Sequence, residues 1–335
     1  MNLFNGKQHL GWNDYFEEIS VSYQPLLFGR ISLEHKHLYR VMTAHGEVLA
    51  SLSGKFRFEV YSEEDYPAVG DWVALSMREE MKATIHHVLP RFSKLSRKAA
   101  GTSGREQLIA SNINNLFIVM ALNHDFNLRR LERYLVMAWE SGANPVILLT
   151  KSDLCGELDE LVSSAESIAF GVPVHPVSAL ERSGIEQLST YLTEGSTSAF
   201  VGSSGAGKST LINALIGTER QETGEVRADD SRGRHTTTYR ELIAVPKKGL
   251  LIDTPGMREL QLWDSESLQH SFEDIESLAA ACYFRDCGHQ NEPKCAINQA
   301  IEEGSLTASR LQSYRKLQRE LAYIEKKERK KANKK

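Results

Sequence analysis

Between residues 25 and 90, apolar and polar positions alternate with a period of two, as in Ile31/Leu33, Val48/Ala50/Leu52 and Phe56/Phe58/Val60. Successive side chains of a strand face opposite sides, so this pattern predicts short strands with one buried face. Turn residues separate the pieces, notably Tyr66-Pro-Ala-Val-Gly70-Asp71. The size fits a small β-barrel, either five-stranded and of the oligonucleotide-binding type or SH3-like. From Asn115 the period changes. Leu116–Leu122, Pro145–Leu149, Val174–Val177, Ser198–Val201 and Gly249–Ile252 are short apolar runs. Between them, Leu128, Leu131, Leu135 and Ala138 form a helical stripe, and Glu157–Ala169 and Gly184–Leu192 are further helix candidates. Strands alternating with helices predict a parallel sheet covered on both faces. Ser265–Ala281 then carries Leu268, Phe272, Ile275 and Leu278 on one helical face. Leu311, Tyr314, Leu317, Leu321 and Ile324 stripe a last helix. The expected organisation is a barrel with an N-terminal extension (1–90), a basic Ser/Gly-containing linker (91–114), an α/β domain (115–263) and a helical domain (264–335). No internal repeat is present.

Chemistry enters at the strand-to-helix turn after Val201. Gly202-Ser203-Ser204-Gly205-Ala206-Gly207-Lys208-Ser209-Thr210 fits the phosphate-cradling pattern G-x-x-x-x-G-K-[ST] without mismatch, and Leu211–Ile216 continues as a helix. Glycines let backbone N–H groups approach phosphates, and the helix N-terminus adds a positive dipole end. Lys208 is expected to reach the β- and γ-phosphates and Ser209 to hold Mg²⁺. The pattern implies nucleoside triphosphate binding.

The base is read elsewhere. Thr150-Lys151-Ser152-Asp153 ends an apolar strand run. A carboxylate there can accept two hydrogen bonds from guanine N1–H and N2–H₂, a donor pair that adenine lacks. The Lys151 stem can cover the base, and Ser178-Ala179 ends another strand where backbone donors would suit guanine O6. Asp253-Thr254-Pro255-Gly256 closes the strand from Gly249, with Asp253 expected to bind Mg²⁺ through water and the Gly256 N–H to sense the γ-phosphate. The intervening Thr218–Thr238 has the composition of a mobile switch, and Thr236, Thr237 and Thr238 are candidates to close on Mg²⁺ and phosphate.

With 335 residues, 41% hydrophobic and 25% charged, and a net charge of −4, the chain as a whole does not advertise nucleic-acid binding. Locally it does. Arg91, Lys94, Arg97, Lys98 and Arg105 lie in a stretch without acidic residues, and the tail from Glu325 is dominated by lysine; the plainer account of the tail is a solvated helix end. No apolar run of about 18 residues and no signal-peptide stretch occurs, so a cytoplasmic protein with no membrane partner is expected. Three of the four cysteines cluster with a histidine as Cys282-x₄-Cys287-x-His289-x₅-Cys295. Three thiolates and an imidazole suit a closed structural zinc site, disulfides being the weaker alternative.

The motif order is unusual: T-K-x-D and S-A precede the phosphate loop, and D-x-x-G follows it. This is a circular permutation of the common GTPase order. It leads the segment after Gly256 directly into the C-terminal domain, so nucleotide state can move that domain. With Asp125-Phe-Asn-Leu-Arg-Arg-Leu-Glu-Arg-Tyr134, Gly233-Arg-His-Thr-Thr-Thr238 and the Cys/His cluster, the chain resembles the small-ribosomal-subunit-dependent GTPase family (RsgA or YjeQ) from about residue 25 to 330. The resemblance implies an oligonucleotide-binding barrel, a permuted P-loop GTPase and a zinc-binding helical domain with Cys282, Cys287, His289 and Cys295 as ligands. It further implies GTP hydrolysis late in small-subunit assembly, stimulated by the subunit, with rRNA, GTP and GDP as partners and a monomeric chain. Two departures from a generic GTPase stand out. Thr150 replaces the commoner Asn, which would weaken loop bracing. Met257 stands where many GTPases carry a water-positioning Gln, so slow intrinsic turnover is expected. His235 is the candidate helper, the alternative being an incidental surface histidine. Two other functions fit parts of the pattern: an RNA-binding assembly module with a passive nucleotide switch, and an ATP-using enzyme, which Lys151 and Asp153 disfavour.

Overall fold

Apolar alternation in the N-terminal region builds a closed barrel. The computed structural model describes residues 6–35, 38–78, 81–98, 106–217, 240–245, 248–254, 266–290 and 292–332. Helix α1 (Asp14–Ser20), whose Asn13 cap accepts from the Phe16 N–H, precedes β1 (Leu27–His35), β2 (Leu38–Thr43) and β3 (Gly46–Leu52). Helix α2 (Gly54–Glu59), β4 (Trp72–Met77) and β5 (Lys82–Val88) follow. The strands pair as β1-β2-β3-β5-β4, and β4 returns to β1, so five strands close on themselves. Ile31, Tyr39, Val41, Leu75 and Ile85 fill the interior.

Phe56/Phe58/Val60, expected as a strand, belong instead to α2 and its C-cap. Residues i and i+2 lie about 200° apart on a helix, so one helical turn alternates much as a strand does. The cap decides the outcome: the Ser53 hydroxyl accepts from the Phe56 N–H. Tyr39 and Phe56 are buried in the barrel, whereas Phe58 is exposed. Within 91–114, β6 (Lys94–Lys98) and β7 (Glu106–Ser111) pair as an antiparallel ribbon rather than running as a plain linker. Two of its basic residues are engaged internally. Arg91 grips the buried Asp71 at 2.7 Å, and Lys94 meets Glu64 and Glu106.

The next elements are β8 (Asn115–Ala121), α3 (Leu128–Ser141), β9 (Asn144–Thr150), α4 (Leu158–Glu166) and β10 (Val174–Val177). They continue with β11 (Thr197–Gly202), α5 (Lys208–Ile216), β12 (Glu241–Val245) and β13 (Gly249–Asp253). The sheet order is β10-β9-β8-β11-β13-β12, parallel except for β12. Gly184–Leu192 holds a tight 3₁₀ turn over Glu186–Thr190. The sequence pattern missed β12, which joins the two sheets by pairing with barrel strand β1 at Leu33 and Glu241. One core accordingly runs through both units, with Trp12 edge-on to Trp72 at 4.7 Å and continuous with Ile118, Leu149 and Ile252.

The last region comprises α6 (Glu266–Ser271), α7 (Glu273–Ala280), α8 (Ala296–Glu302) and α9 (Ala308–Ala332). The single helix expected over 265–281 breaks at Phe272. The break turns that ring into the core, beside Tyr314 and beneath the Arg310 guanidinium. Val136 of α3 belongs to the same core, so the helical region packs directly on the α/β unit. No described helix is long and apolar enough to cross a membrane.

Candidate nucleotide site and metal cluster

The carboxyl ends of β8, β9, β10, β11 and β13 lie on one edge of the sheet, because all five strands are parallel. The chain leaves β8 toward β9 but leaves β11 toward β13, so a crevice opens between β8 and β11, the usual ligand position in such sheets. The phosphate-type loop starts there. Gly202 takes φ +154°, and a Cβ on it would meet the Val119 carbonyl oxygen at 2.2 Å. Gly207, at φ +92°, caps α5, so the loop enters the helix with its N-terminal N–H groups directed at the crevice.

Lys208, 7% exposed, donates to the carbonyls of Gly202 at 2.9 Å and Ser203 at 2.8 Å. Burial pulls its pKa down to about 8, with Asp253 and Asp125 opposing the shift. Ser209 and Thr210 follow on the first turn of α5, while Ser204 and Gly205 form the loop's outer rim. Thr150, at the end of β9, donates to the Ala206 carbonyl at 2.6 Å. The threonine therefore braces the loop through this one hydrogen bond. Lys151 takes a left-handed φ of +61°, which starts the turn carrying Ser152 and Asp153. Ser178 is fully buried, its hydroxyl accepting from the Glu181 N–H, and Ala179 follows at the rim. Asp253 is fully buried at the end of β13, and the hydroxyl of the next residue, Thr254, is tied to the Phe200 carbonyl. Thr150, Ser178, Gly202–Ser209 and Asp253 thus converge on one edge. His235, Thr236, Thr237, Thr238 and Gly256 lie outside the described residues.

Cys282, Cys287, His289 and Cys295 each offer one ligand atom, all within 4.8 Å of one another. The His289 Nδ1 stands 3.5 Å from the sulfurs of Cys282 and Cys295, which are 3.9 Å apart. A tetrahedral ion with about 2.3 Å bonds to sulfur and about 2.0 Å to nitrogen requires separations close to these. His289 and Lys294, both at left-handed φ, make the turns that fold the four together. The cluster is able to bind a metal ion.

A profile of the family described as RsgA GTPase matches residues 88–263. The chain is 49% identical over 317 residues to the small ribosomal subunit biogenesis GTPase RsgA 1 of Oceanobacillus iheyensis, an alignment covering 94% of this chain and 90% of that protein. It is 46% identical over 320 residues to the RsgA of Methanosarcina acetivorans, covering 95% and 86%. The chain belongs to the RsgA GTPase family. The crystal structure of YjeQ from Thermotoga maritima superimposes with a TM-score of 0.66 at 28% identity, covering 88% of this chain and 98% of that one. YloQ, titled a circularly permuted GTPase, shares the fold with a TM-score of 0.63 at 24% identity, covering 90% and 97%.

As an RsgA GTPase, this chain hydrolyses GTP, and its phosphate loop has further partners that sequence motifs did not assign a task. Asp125, in the loop after β8, accepts from the Ser203 hydroxyl and pairs with Arg130 at 2.8 Å. The signal was present as an acidic and a basic residue five apart at the head of α3. Its meaning depends on the β8–β11 adjacency, which no local window reveals.

Proposed function

We propose that this GTPase acts late in maturation of the small ribosomal subunit, binding rRNA and leaving after hydrolysis. The observation that carries the proposal is the meeting at one sheet edge of a lysine-bearing phosphate loop, a T-K-S-D turn and the buried Asp253. Support for the setting comes from relatives named small ribosomal subunit biogenesis GTPases. In this proposal Asp153 takes the guanine N1–H and N2–H₂, Lys151 covers the base, and backbone near Ser178 and Ala179 meets O6. The loop from Gly202 to Thr210 wraps the phosphates, with Lys208 neutralising the β- and γ-groups. Ser209, Asp253 and one of Thr236, Thr237 and Thr238 would hold Mg²⁺, which lowers the charge on the transferring phosphoryl group. Gly256 senses the γ-phosphate, and His235 assists hydrolysis once the protein is docked. The metal of the Cys₃His cluster is zinc, the donor set being thiolate-rich and closed. The chain is cytoplasmic and works as a monomer, with domains at 1–90, 91–114, 115–263 and 264–335.

The deciding experiment measures GTP turnover alone, with small subunits and with large subunits. Acceleration by small subunits only is expected, and equal rates under all three conditions overturn the assignment. An Asp153→Asn control checks the base: an amide in place of the carboxylate loses the guanine donor pair, so GTP should lose its advantage over ATP. A variant that keeps full GTP preference contradicts the role of Asp153.

A further inference from the structure

We infer that Asp125 is a positioning residue of the phosphate loop, holding Ser203 by its hydroxyl while Arg130 neutralises the carboxylate. Asp125 has this task only if the loop binds GTP phosphates as proposed above. Asp125 and Ser203 follow β8 and β11, the two strands that border the crevice, so their bond ties its two sides together. Ser203 is 4% exposed and serves twice. Its hydroxyl donates to one oxygen of Asp125, and its carbonyl accepts from Lys208 Nζ at 2.8 Å. A shift of Ser203 therefore displaces the ammonium that would meet the phosphates.

A carboxylate beside a triphosphate pocket would repel the ligand unless its charge were balanced. Arg130 supplies the balance: its Nη2 donates to the other Asp125 oxygen at 2.8 Å and also to the Asp125 backbone carbonyl. Arg130 is itself fixed, because Asn127 caps α3 by accepting the Arg130 N–H at 3.0 Å. Asp125, Asn127 and Arg130 thus divide the work into anchor, helix cap and counter-charge. The competing account is that Asp125 only shapes its own loop, where its N–H donates to Asn123 Oδ1 at 2.9 Å.

The test uses the full chain and a fluorescent GDP or GTP analogue, comparing Asp125→Ala, Ser203→Ala, the double variant and Asp125→Asn. A hydrogen bond to a charged group corresponds to about a tenfold change in nucleotide Kd. Each single alanine variant should lose about that factor, and the double variant no more than either single, since both break one bond. Asp125→Asn keeps an acceptor for Ser203 and should bind more tightly than Asp125→Ala. A purely structural role predicts lowered Tm with unchanged Kd in the folded fraction. Folded single variants within twofold of wild type, or a double variant weakened about a hundredfold, overturn the inference. If Asp125→Ala does not fold, the smaller Ser203→Ala change still decides. A wild type that binds no guanine nucleotide defeats the proposed site itself, whereas a binding wild type with unaffected variants defeats only the role of Asp125.

Discussion

Lys208 carries the most direct pH dependence. Burial lowers its pKa to about 8, so in the free protein the ammonium is populated below that pH and lost above it. Bound phosphates add negative charge and hold the proton on, raising the pKa again. Nucleotide affinity should then be flat below pH 8 and fall by about tenfold per unit above it, as linkage requires when only the complex keeps the proton. Calorimetry at pH 9 in two buffers of different ionisation heat should detect proton uptake on GTP binding. Lys208→Arg should abolish that uptake, because guanidinium stays charged. Equal wild-type affinities at pH 7 and pH 9 would contradict the argument. Thr150 offers a smaller effect. Thr150→Val keeps the shape but removes the 2.6 Å bond to the Ala206 carbonyl, and about 1 kcal/mol of loop order should go with it, read as about fivefold weaker binding.

Helix α3 shows how one element serves two neighbours. Its head carries the Asp125–Arg130 pair beside the phosphate loop. Its next turns meet the helical domain, where Glu132 pairs with Arg310 at 3.0 Å, Arg133 with Glu320 at 2.6 Å, and Val136 enters the core. Arg310 is 4% exposed and also grips Asp274 and the Ser271 carbonyl. Burial pushes the Glu132 pKa up, with Ser313 and Arg310 opposing; removing the guanidinium should raise it further. Arg310→Met leaves a buried carboxylate uncompensated and should cost about 3 kcal/mol. Adding Glu132→Gln should recover part of that loss in urea denaturation, and no recovery would mean the pair is not coupled. These contacts were illegible in the sequence for a physical reason. The phosphate loop announces itself because its glycines and lysine must be contiguous. Arg310 finds its acceptors 36 and 178 residues away, and nothing local separates it from a surface arginine. The helical stripe that placed Leu131 and Leu135 inward was legible, since it depends only on period. Phe56 was misjudged because one turn of helix and one strand alternate alike.

At the scale of the molecule, the barrel and the GTPase are expected to unfold as one body and the metal-cluster domain as a second. Strands β1 and β12 pair across the first boundary, and buried Arg30 of the barrel reinforces it. Its guanidinium reaches the Leu10, Gly70 and Asn112 carbonyls and the hydroxyl of Thr197, the residue that opens the phosphate-loop strand. Burial lowers its pKa to about 9, against the pull of Asp71, which still leaves it charged at neutral pH. The helical domain instead is drawn together by Cys282, Cys287, His289 and Cys295, and metal binding to such a set contributes directly to folding free energy. Two perturbations should therefore separate. Arg30→Met leaves several buried acceptors without donors and should lower the unfolding transition of the joint barrel–GTPase body by several degrees. A zinc-selective chelator with Mg²⁺ kept in excess, or Cys287→Ser, should lower the transition of the helical domain and leave nucleotide affinity within about twofold, since no cluster residue belongs to the phosphate-loop edge. Scanning calorimetry with and without chelator reads both effects on one sample. If chelation lowers both transitions equally, Val136 and the Arg310 contacts bind the domains into a single cooperative unit, and the two-body description fails.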